Sequence, residues 1–308
     1  MAFTAADVKA LREKTGVGMM DCKKALTEAD GDMERAIDVL REKGLAASAK
    51  KAGRIAAEGI VLAYTDEAKK VSVLVEVNSE TDFVAKNEKF VNYVTAVAKT
   101  IADTNPADVD ELLTKPLAGD TRTVQENLQD MVLSIGENMK IRRFERVEGI
   151  TTSYIHGGGS VGVLVMFDTD DKTAATDAFK VMGKDVAMQI AAMSPAYLDE
   201  ASVPADVLAH EKEITKAQLA EDPKMASKPE QVLAKIVDGK IVKYFKENCL
   251  LDQAFVKDGD MNVAKYVASV AKELGADIKV TGFIRYAKGE GLEKREDDFA
   301  AEVASMMK

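Results

Sequence analysis

The sequence predicts an α+β protein with a duplicated core. Three observations carry this prediction: a helical pattern at the N-terminus, two copies of one strand-and-helix pattern, and a helical insertion in the second copy. Runs of β-branched residues favour strands, whereas apolar residues three and four positions apart favour helices. We therefore predict an N-terminal three-helix domain, two small antiparallel sheets packed with helices, a helical-hairpin insertion and a C-terminal helix.

Residues 1–45 have the pattern of three short helices. Asp32 is a good N-cap for the third of them, and Gly44 is predicted to end that helix as its C′ residue. The following segment, 46–51, has small and basic residues without an apolar stripe, which is typical of a linker, either irregular or helical. The first domain is therefore predicted to end near residue 54.

An internal repeat is the most informative feature of the chain. Part of the first copy recurs 90 residues later without a gap, with Glu58-Gly59-Ile60 reappearing as Glu148-Gly149-Ile150 and Val73-Leu74-Val75 as Val163-Leu164-Val165. One residue is then dropped, so that Phe90 recurs as Phe179. Later positions recur at an offset of 139: Gly136, Lys140, Phe144 and Arg146 match Gly275, Lys279, Phe283 and Arg285. Each copy is predicted to contain a hairpin, a helix, a second helix and a third strand.

The larger later offset places an insertion of about 49 residues in the second copy, roughly from Pro195 to Leu251. Two stretches with helical spacing flank Pro223 and Pro229, which predicts an antiparallel pair of helices. This pair either binds a second subunit or folds back on its own core, and the sequence leaves both open. The predicted domains are 1–54, 55–147, 148–196 with 251–288, 197–250 as a dimerisation-type insertion, and 289–308 with a helix in 294–308.

Composition restricts the classes of function. The net charge of −10 disfavours direct nucleic-acid binding, because an acidic surface repels phosphate backbones. Cys22 and Cys249 have neither disulfide-framework nor zinc-site spacing, which indicates a reducing compartment. No apolar run reaches the length of a membrane helix, and no targeting pattern is present. We expect a cytoplasmic protein that binds neither membranes nor nucleic acid.

Two motifs resemble ligand sites but fail on their context. Gly157, Gly159 and Gly162 match a dinucleotide fingerprint, yet they lead into a predicted strand, whereas a phosphate site needs them to open a helix. The acidic run Asp168–Asp171 lacks the glycine and glutamate that complete a calcium-binding EF-hand loop. We therefore expect no metal site, no cofactor and no enzymatic activity.

The loop Thr81-Asp82-Phe83-Val84 distinguishes the two copies, since the second copy has no large apolar residue at the same strand-to-helix corner. One interpretation is structural: Thr81 or Asp82 caps the helix, and Phe83 packs on it as a hydrophobic staple. The other interpretation is that Phe83 points outward as a wedge for a partner. The residues alone favour neither.

The chain closely resembles bacterial translation elongation factor Ts, the nucleotide-exchange factor for elongation factor Tu, over essentially its whole length. The resemblance implies a ubiquitin-associated-like N-terminal domain, two similar core subdomains, a helical dimerisation insertion and a C-terminal helical module. It also implies binding to GDP-bound and nucleotide-free elongation factor Tu. The motifs that carry it are Leu11 through Ala25, Thr81-Asp82-Phe83-Val84-Ala85-Lys86, Ile135-Gly136-Glu137-Asn138, His156-Gly157 and Thr281-Gly282-Phe283-Ile284-Arg285.

The same resemblance implies roles for individual residues. The Thr81–Val84 loop, through Asp82 and Phe83, corresponds to the segment that enters the GTPase domain of elongation factor Tu and disturbs its magnesium site. Val256 matches one half of an apolar contact pair, whose other half is Lys257 here and departs from the family pattern. Further implied contacts to the partner are Lys23, Ile135, Gly136, His156 and Val256.

Two other functional classes compete with this interpretation. A three-helix domain at 1–45 is compatible with an adaptor or peptide-binding module, but an adaptor leaves the duplicated core unexplained. An uncharacterised small-molecule enzyme lacks a catalytic constellation in this sequence. Pull-down with elongation factor Tu followed by GDP competition distinguishes these classes, because an adaptor would not respond to nucleotide.

Overall fold

The computed structural model describes residues 3–15, 17–222 and 228–293. It confirms the predicted α+β class, with N-terminal helices and small antiparallel sheets packed with helices. The first three helices are α1 (Ala5–Thr15), α2 (Met19–Glu28) and α3 (Met33–Lys51). They enclose a small apolar core that includes Leu11, Cys22, Leu26, Ala36 and Leu40.

Helix α3 begins as predicted but ends later. The Asp32 side chain accepts a hydrogen bond from the Arg35 N–H at 2.8 Å, which confirms its role as the N-cap. The prediction that Gly44 ends the helix is wrong, because α3 continues through 46–51 to Lys51. A Cβ at Gly44 would lie 3.6 Å from the Gln129 carbonyl oxygen. That distance is an ordinary van der Waals contact, so the packing of α3 against its neighbour does not require glycine at this position.

The first copy of the repeat forms a three-stranded sheet covered by helices. Its strand order is β1-β2-β3, and β1 and β2 form an antiparallel hairpin in which Glu58 is opposite Ser79. The apolar face packs against the long helix that follows, with Phe90, Val94, Val97 and Ile101 fully buried. The elements are β1 (Glu58–Asp66), β2 (Val71–Ser79), α4 (Asp82–Ala85), α5 (Glu88–Thr104), α6 (Val109–Thr114), α7 (Val124–Ile135) and β3 (Met139–Glu148).

Strand β2 is buried along its whole length, so both of its faces are covered. Alternate residues point to opposite faces of a strand. The face toward the helices carries Val71, Val73, Val75 and Val77 in the apolar core. The opposite face carries Ser72, Leu74, Glu76 and Asn78, and places one carboxylate in the protein interior.

The Glu76 side chain is 0% exposed and fully hydrogen-bonded. It accepts bonds from Arg142 at 3.1 Å, Arg143 at 2.7 Å, the Asn78 amide at 3.1 Å and the Gly289 N–H at 2.7 Å. Burial by itself would raise the pKa of Glu76, but these hydrogen bonds outweigh it and the pKa is lowered. The carboxylate therefore joins β2, β3 and the segment after the last strand.

The second copy repeats the order of the first, except that the insertion and a small hairpin stand where the first copy has α6. Its sheet has the strand order β4-β5-β8, and its core includes an edge-to-face pair between Phe167 and Phe179 with ring centroids 5.0 Å apart. The elements are β4 (Ile150–His156), β5 (Val161–Asp168), α8 (Asp171–Ala174), α9 (Asp177–Met193), and, after the insertion, α12 (Val263–Leu274) and β8 (Lys279–Ala287).

The glycine-rich segment forms the turn between β4 and β5, as its context predicts. Gly157–Gly159 all have positive φ, at 55°, 64° and 100°. The Gly159 carbonyl accepts from the Val61 N–H at 2.8 Å, and a Cβ on Gly159 would lie only 2.9 Å from the Ile60 Cβ. At Gly162 a Cβ would lie 2.5 Å from Val61 Cγ1. These glycines let the hairpin tip approach strand β1.

The insertion contains the two predicted helices, α10 (Ala205–Glu221) and α11 (Glu230–Asn248), which contact each other. A small hairpin follows it, formed by β6 (Ala254–Phe255) and β7 (Asp258–Asn262). This hairpin was missed from the sequence, because strands this short and polar have no clear alternation.

Contacts divide the chain into two units. The first comprises the described parts of 1–147, 155–162 and 286–308, and the second comprises 148–154 and 163–285. The domain boundaries given above stay a prediction. The terminal helix predicted in 294–308 lies outside the described residues. Within the part of the chain that the structure describes, no helix is long and apolar enough to cross a membrane.

Candidate functional site

The corner between β2 and α4 presents one aromatic side chain to solvent. Phe83 is 79% exposed, while its neighbour Val84 is only 5% exposed and belongs to the core of the first copy. This excludes the staple interpretation, in which Phe83 would pack on its own helix. Asp82 accepts a hydrogen bond from Lys86 at 2.7 Å, which lowers the pKa of the carboxyl group. The corner therefore offers an exposed ring beside an ionised carboxylate.

Two carboxylates fix this corner to the segment between α7 and β3. Glu137 accepts from the Thr81 N–H at 3.0 Å and from the Thr81 hydroxyl at 2.7 Å. Glu80 accepts in the opposite direction, from the Asn138 N–H at 2.6 Å. We call these four residues the crossed clamp. Its two halves are more than 50 residues apart in the chain, so local sequence patterns do not reveal it.

Ile135 and Gly136 lie directly before the clamp. Ile135 ends α7, is half-buried and packs against the core of the first copy. Gly136 is exposed, with φ 90°, and its N–H donates to the Val132 carbonyl at 3.0 Å. Through Glu137 the structure therefore joins two of the predicted contact segments, the Thr81–Val84 corner and the Ile135–Gly136 turn.

The same corner in the second copy is built differently. There Asp170 caps α8 by accepting from the Thr173 N–H at 2.9 Å, whereas Thr81 makes no side-chain cap bond to α4. Thr173 is buried at the place of Val84, and Lys172 is exposed at the place of Phe83. The scaffold therefore folds this corner without an aromatic residue.

Lys23 and His156 occupy separate positions in the first unit. Lys23 is exposed on α2, whose opposite side buries Cys22 and Leu26. His156 is exposed at the end of β4, and its carbonyl accepts hydrogen bonds from the Gly159 and Ser160 N–H groups. None of these contacts involves the Thr81–Val84 corner.

Val256 lies in the second unit, at the turn of the β6–β7 hairpin, and is 49% exposed. A buried glutamine on α9 holds this turn. Gln189 is 0% exposed, accepts from the Val256 N–H at 2.8 Å, and donates to Gln253 and to the Ala254 carbonyl, both at 3.1 Å. The backbone of Val256 is therefore fixed while its side chain faces solvent.

Lys257, the residue that departs from the family pattern, forms an ion pair with Asp185. Its ammonium group lies 2.6 Å from Asp185, a carboxylate on α9 whose side chain is only 8% exposed. The Tyr266 hydroxyl donates to the same carboxylate at 2.9 Å. Burial raises the pKa of Tyr266 and the Asp185 charge raises it further, so the phenol keeps its proton. Lys257 therefore neutralises a buried charge, and is not an apolar contact.

Lys257→Met is expected to lower the free energy of unfolding by about 1–3 kcal/mol, because Asp185 would lose its charged hydrogen-bond partner. Urea unfolding of the variant measures this change. Lys265→Met, which alters an exposed lysine of the same unit, is the matched control. Equal unfolding midpoints for the two variants would contradict the assigned role of Lys257.

The described residues show no metal-binding constellation. Among residues 3–15, 17–222 and 228–293, no group of three His, Cys, Asp or Glu side chains is arranged to hold an ion. In place of a calcium loop, Asp170 in the acidic run caps α8. Cys22 and Cys249 are free, buried thiols.

The fold defines the class of protein: a duplicated α+β scaffold that leaves apolar side chains such as Phe83 and Val256 exposed. Comparisons with known proteins make this specific. The family described as "Elongation factor TS" matches residues 80–290. Proteins named elongation factor Ts from Clostridium perfringens and Clostridium kluyveri are 53% and 52% identical to the chain, covering 99% and 98% of it and 99% and 97% of their own lengths.

A third relative with the same name, from Clostridium novyi, is 49% identical over 99% of the chain. The chain belongs to the elongation factor Ts family. Membership confirms the predicted class, a translation elongation factor of protein biosynthesis with a general role in nucleotide exchange on elongation factor Tu.

Proposed function

We propose that this chain binds elongation factor Tu in its GDP-bound and nucleotide-free states and promotes GDP release by disturbing the Mg²⁺ and phosphate site. The Thr81–Val84 corner delivers the disturbance, with Phe83 as a wedge and Asp82 as a negative charge. The observation that supports this most is the 79% exposure of Phe83 beside the ionised Asp82. A carboxylate brought close to a metal–phosphate site repels the phosphates and competes for the cation.

Nucleotide exchange by this route requires the factor to bind two states of its partner with different affinities. The factor has to bind the nucleotide-free partner more tightly than the GDP-bound partner, and GDP then weakens the factor's binding by the same ratio. A factor that bound both states equally would shift nothing, however tightly it bound.

The wedge acts together with other contacts. Burying one exposed phenylalanine contributes about 1.5–3 kcal/mol, which is about one to two decades in an equilibrium constant. We propose that the remaining stabilisation of the open partner comes from the contacts implied by family resemblance: Lys23, Ile135, Gly136, His156 and Val256.

Stopped-flow release of a fluorescent GDP from elongation factor Tu, with and without this protein, tests the proposal. We expect release to accelerate with rising concentration of the protein and to saturate. In a parallel pull-down, added GDP should weaken the complex. Release that is unchanged at saturating protein would reject exchange activity, and a complex insensitive to GDP would favour an adaptor.

We also propose that the protein performs no chemistry of its own and acts in the cytoplasm without a cofactor, a membrane or nucleic acid. The net charge of −10 supports the last point, because an acidic protein gains no counterion-release energy from a phosphate backbone. Binding to labelled RNA at low salt, where such contacts are strongest, would contradict it.

A second copy of the chain is the partner we propose for the helical insertion, 197–250. Helix α11 leaves Val232 40% exposed and Val242 50% exposed, which supplies apolar surface for such a contact. Sedimentation velocity of the full chain measures this association. We expect Val242→Glu to shift any dimer toward monomer, and a monomer at all concentrations would reject the proposal.

A further inference from the structure

The crossed clamp is a second feature that only the first copy has. Its bonds join the residue before α4 to the residues before β3: Thr81 donates twice to Glu137, and Asn138 donates to Glu80. The Asn138 side chain, 9% exposed, also donates to the Arg54 carbonyl at 2.9 Å. The N-terminal side of the corner is thereby fixed from outside the short helix.

In the crossed clamp, the Thr81 side chain does not cap its helix in the ordinary way. A threonine at the N-cap position usually accepts a bond from a backbone N–H of the first turn. Here Thr81 is the N-cap of α4 but makes no such bond, and its hydroxyl donates to Glu137 instead. In the second copy Asp170 keeps the ordinary cap on α8. The local requirements of the helix therefore do not account for the clamp.

The repeat shows that the scaffold folds without the clamp. Gly136 corresponds to Gly275, so the position of Glu137 holds Ala276 in the second copy. The other three clamp residues also differ there, with Thr169, Asp170 and Asp277 at the places of Glu80, Thr81 and Asn138. That copy also has Lys172 where the first copy has Phe83. The clamp and the exposed phenylalanine are thus present together in one copy and absent together from the other.

We propose that Glu137 and Glu80 are positioning residues for Phe83: they hold the Thr81–Phe83 corner in one conformation, so that the partner meets a preformed wedge. This inference rests on the exchange function proposed above. An exposed aromatic on a free loop would have to be ordered during binding, and that ordering would reduce the energy available to open the partner. A corner held by three hydrogen bonds to carboxylates is ordered beforehand.

A single-tryptophan reporter measures the positioning directly. The chain contains no tryptophan, so Phe83→Trp introduces a unique fluorophore at the wedge. We expect time-resolved anisotropy of the free protein to show little local motion of this tryptophan. Adding Glu137→Ala to this variant should introduce a fast component into the anisotropy decay, because the tryptophan would then move locally. Adding Asp170→Ala, a change at the corresponding corner of the second copy, should not introduce this component.

Stimulated GDP release measures the functional effect. Glu137→Ala is expected to lower the maximal release rate about 10-fold, the order expected when a hydrogen-bonded carboxylate is lost. Glu137→Gln should stay within about 3-fold of wild type, because its amide can accept from the Thr81 N–H and donate to the Thr81 hydroxyl. In a Phe83→Ala background, Glu137→Ala should slow release no further, since the two act through the same contact. Thermal unfolding of each variant confirms that the fold is retained.

The outcomes separate the two proposals. If Phe83→Ala slows release and Glu137→Ala does not, the positioning role is overturned while the wedge stands. Additive losses in the double variant also overturn it, because Glu137 would then act independently of Phe83. If Phe83→Ala stimulates GDP release at the wild-type rate, the wedge role of Phe83 is rejected. The positioning role of Glu137 and Glu80 is then rejected with it. Should Glu137→Ala unfold, Thr81→Val removes the hydroxyl donor and carries the same expectation.

Discussion

Phe83→Ala is expected to slow stimulated GDP release from elongation factor Tu by about 10- to 100-fold while much of the binding is retained. The reason is the burial of one phenylalanine, which contributes about 1.5–3 kcal/mol. The variant should fold normally, because Phe83 is 79% exposed and contributes little to the core. Stopped-flow release gives the rate, and titration of the nucleotide-free partner gives the affinity.

Val181→Ala is the matched control for this variant. Val181 is also a large apolar residue, 57% exposed, but it lies on α9 in the second copy. We expect Val181→Ala to stimulate GDP release at the same rate as the wild type. Equal rates for Phe83→Ala and the wild type would reject the wedge, and equal losses in both variants would indicate a general effect of surface apolarity.

Glu76→Gln is expected to lower the free energy of unfolding by about 3 kcal/mol. The substitution removes the charge that Arg142 and Arg143 share, and it turns an amide N–H₂ toward groups that are themselves donors. Breaking a buried ion pair by changing one partner is strongly destabilising, because the other charges stay partly buried without compensation. Chemical unfolding at neutral pH measures the loss, and Glu67→Gln, at an exposed position of the β1–β2 turn, is the control.

The same residue predicts a pH dependence. The pKa of Glu76 is lowered in the folded protein from its ordinary value of 4.5. Its contribution to stability is therefore present above about pH 4.5 and is lost as the pH falls through the folded-state pKa. We expect the wild type to lose stability on acidification more steeply than Glu76→Gln. Parallel stability curves for the two proteins would contradict this assignment.

Much of the fold could be predicted because the chain is duplicated. The recurrence of Glu58-Gly59-Ile60 as Glu148-Gly149-Ile150 aligned the two hairpins, and the change in offset placed the helical insertion. Local rules failed where tertiary contacts decide the outcome. Gly44 is a residue type that favours a helix end, but it lies within α3, which packs along α7. The hairpin that carries Val256 is too short for its alternation to be detected.

The candidate site could be predicted only in part. The absence of a phenylalanine from the same corner of the second copy identified Phe83, but the sequence does not show whether its ring points outward. Local sequence patterns do not predict the polar hydrogen bonds, because bonds such as Thr81–Glu137 and Lys257–Asp185 join residues 56 and 72 positions apart. One signal was available in the repeat: Glu137 corresponds to Ala276, a change from a carboxylate to a methyl group at an otherwise similar turn.

The bonding of Glu76 has a consequence for the order in which the protein is completed during its own synthesis. Its bond from Gly289 spans 213 residues, and a ribosome adding about 5–20 residues per second needs roughly 10–40 s to make that stretch. Over that interval the buried carboxylate lacks one of the donors that hold its charge. The carboxylate of the first sheet to be translated therefore receives its full set of donors only after a segment 213 residues further along the chain has been made.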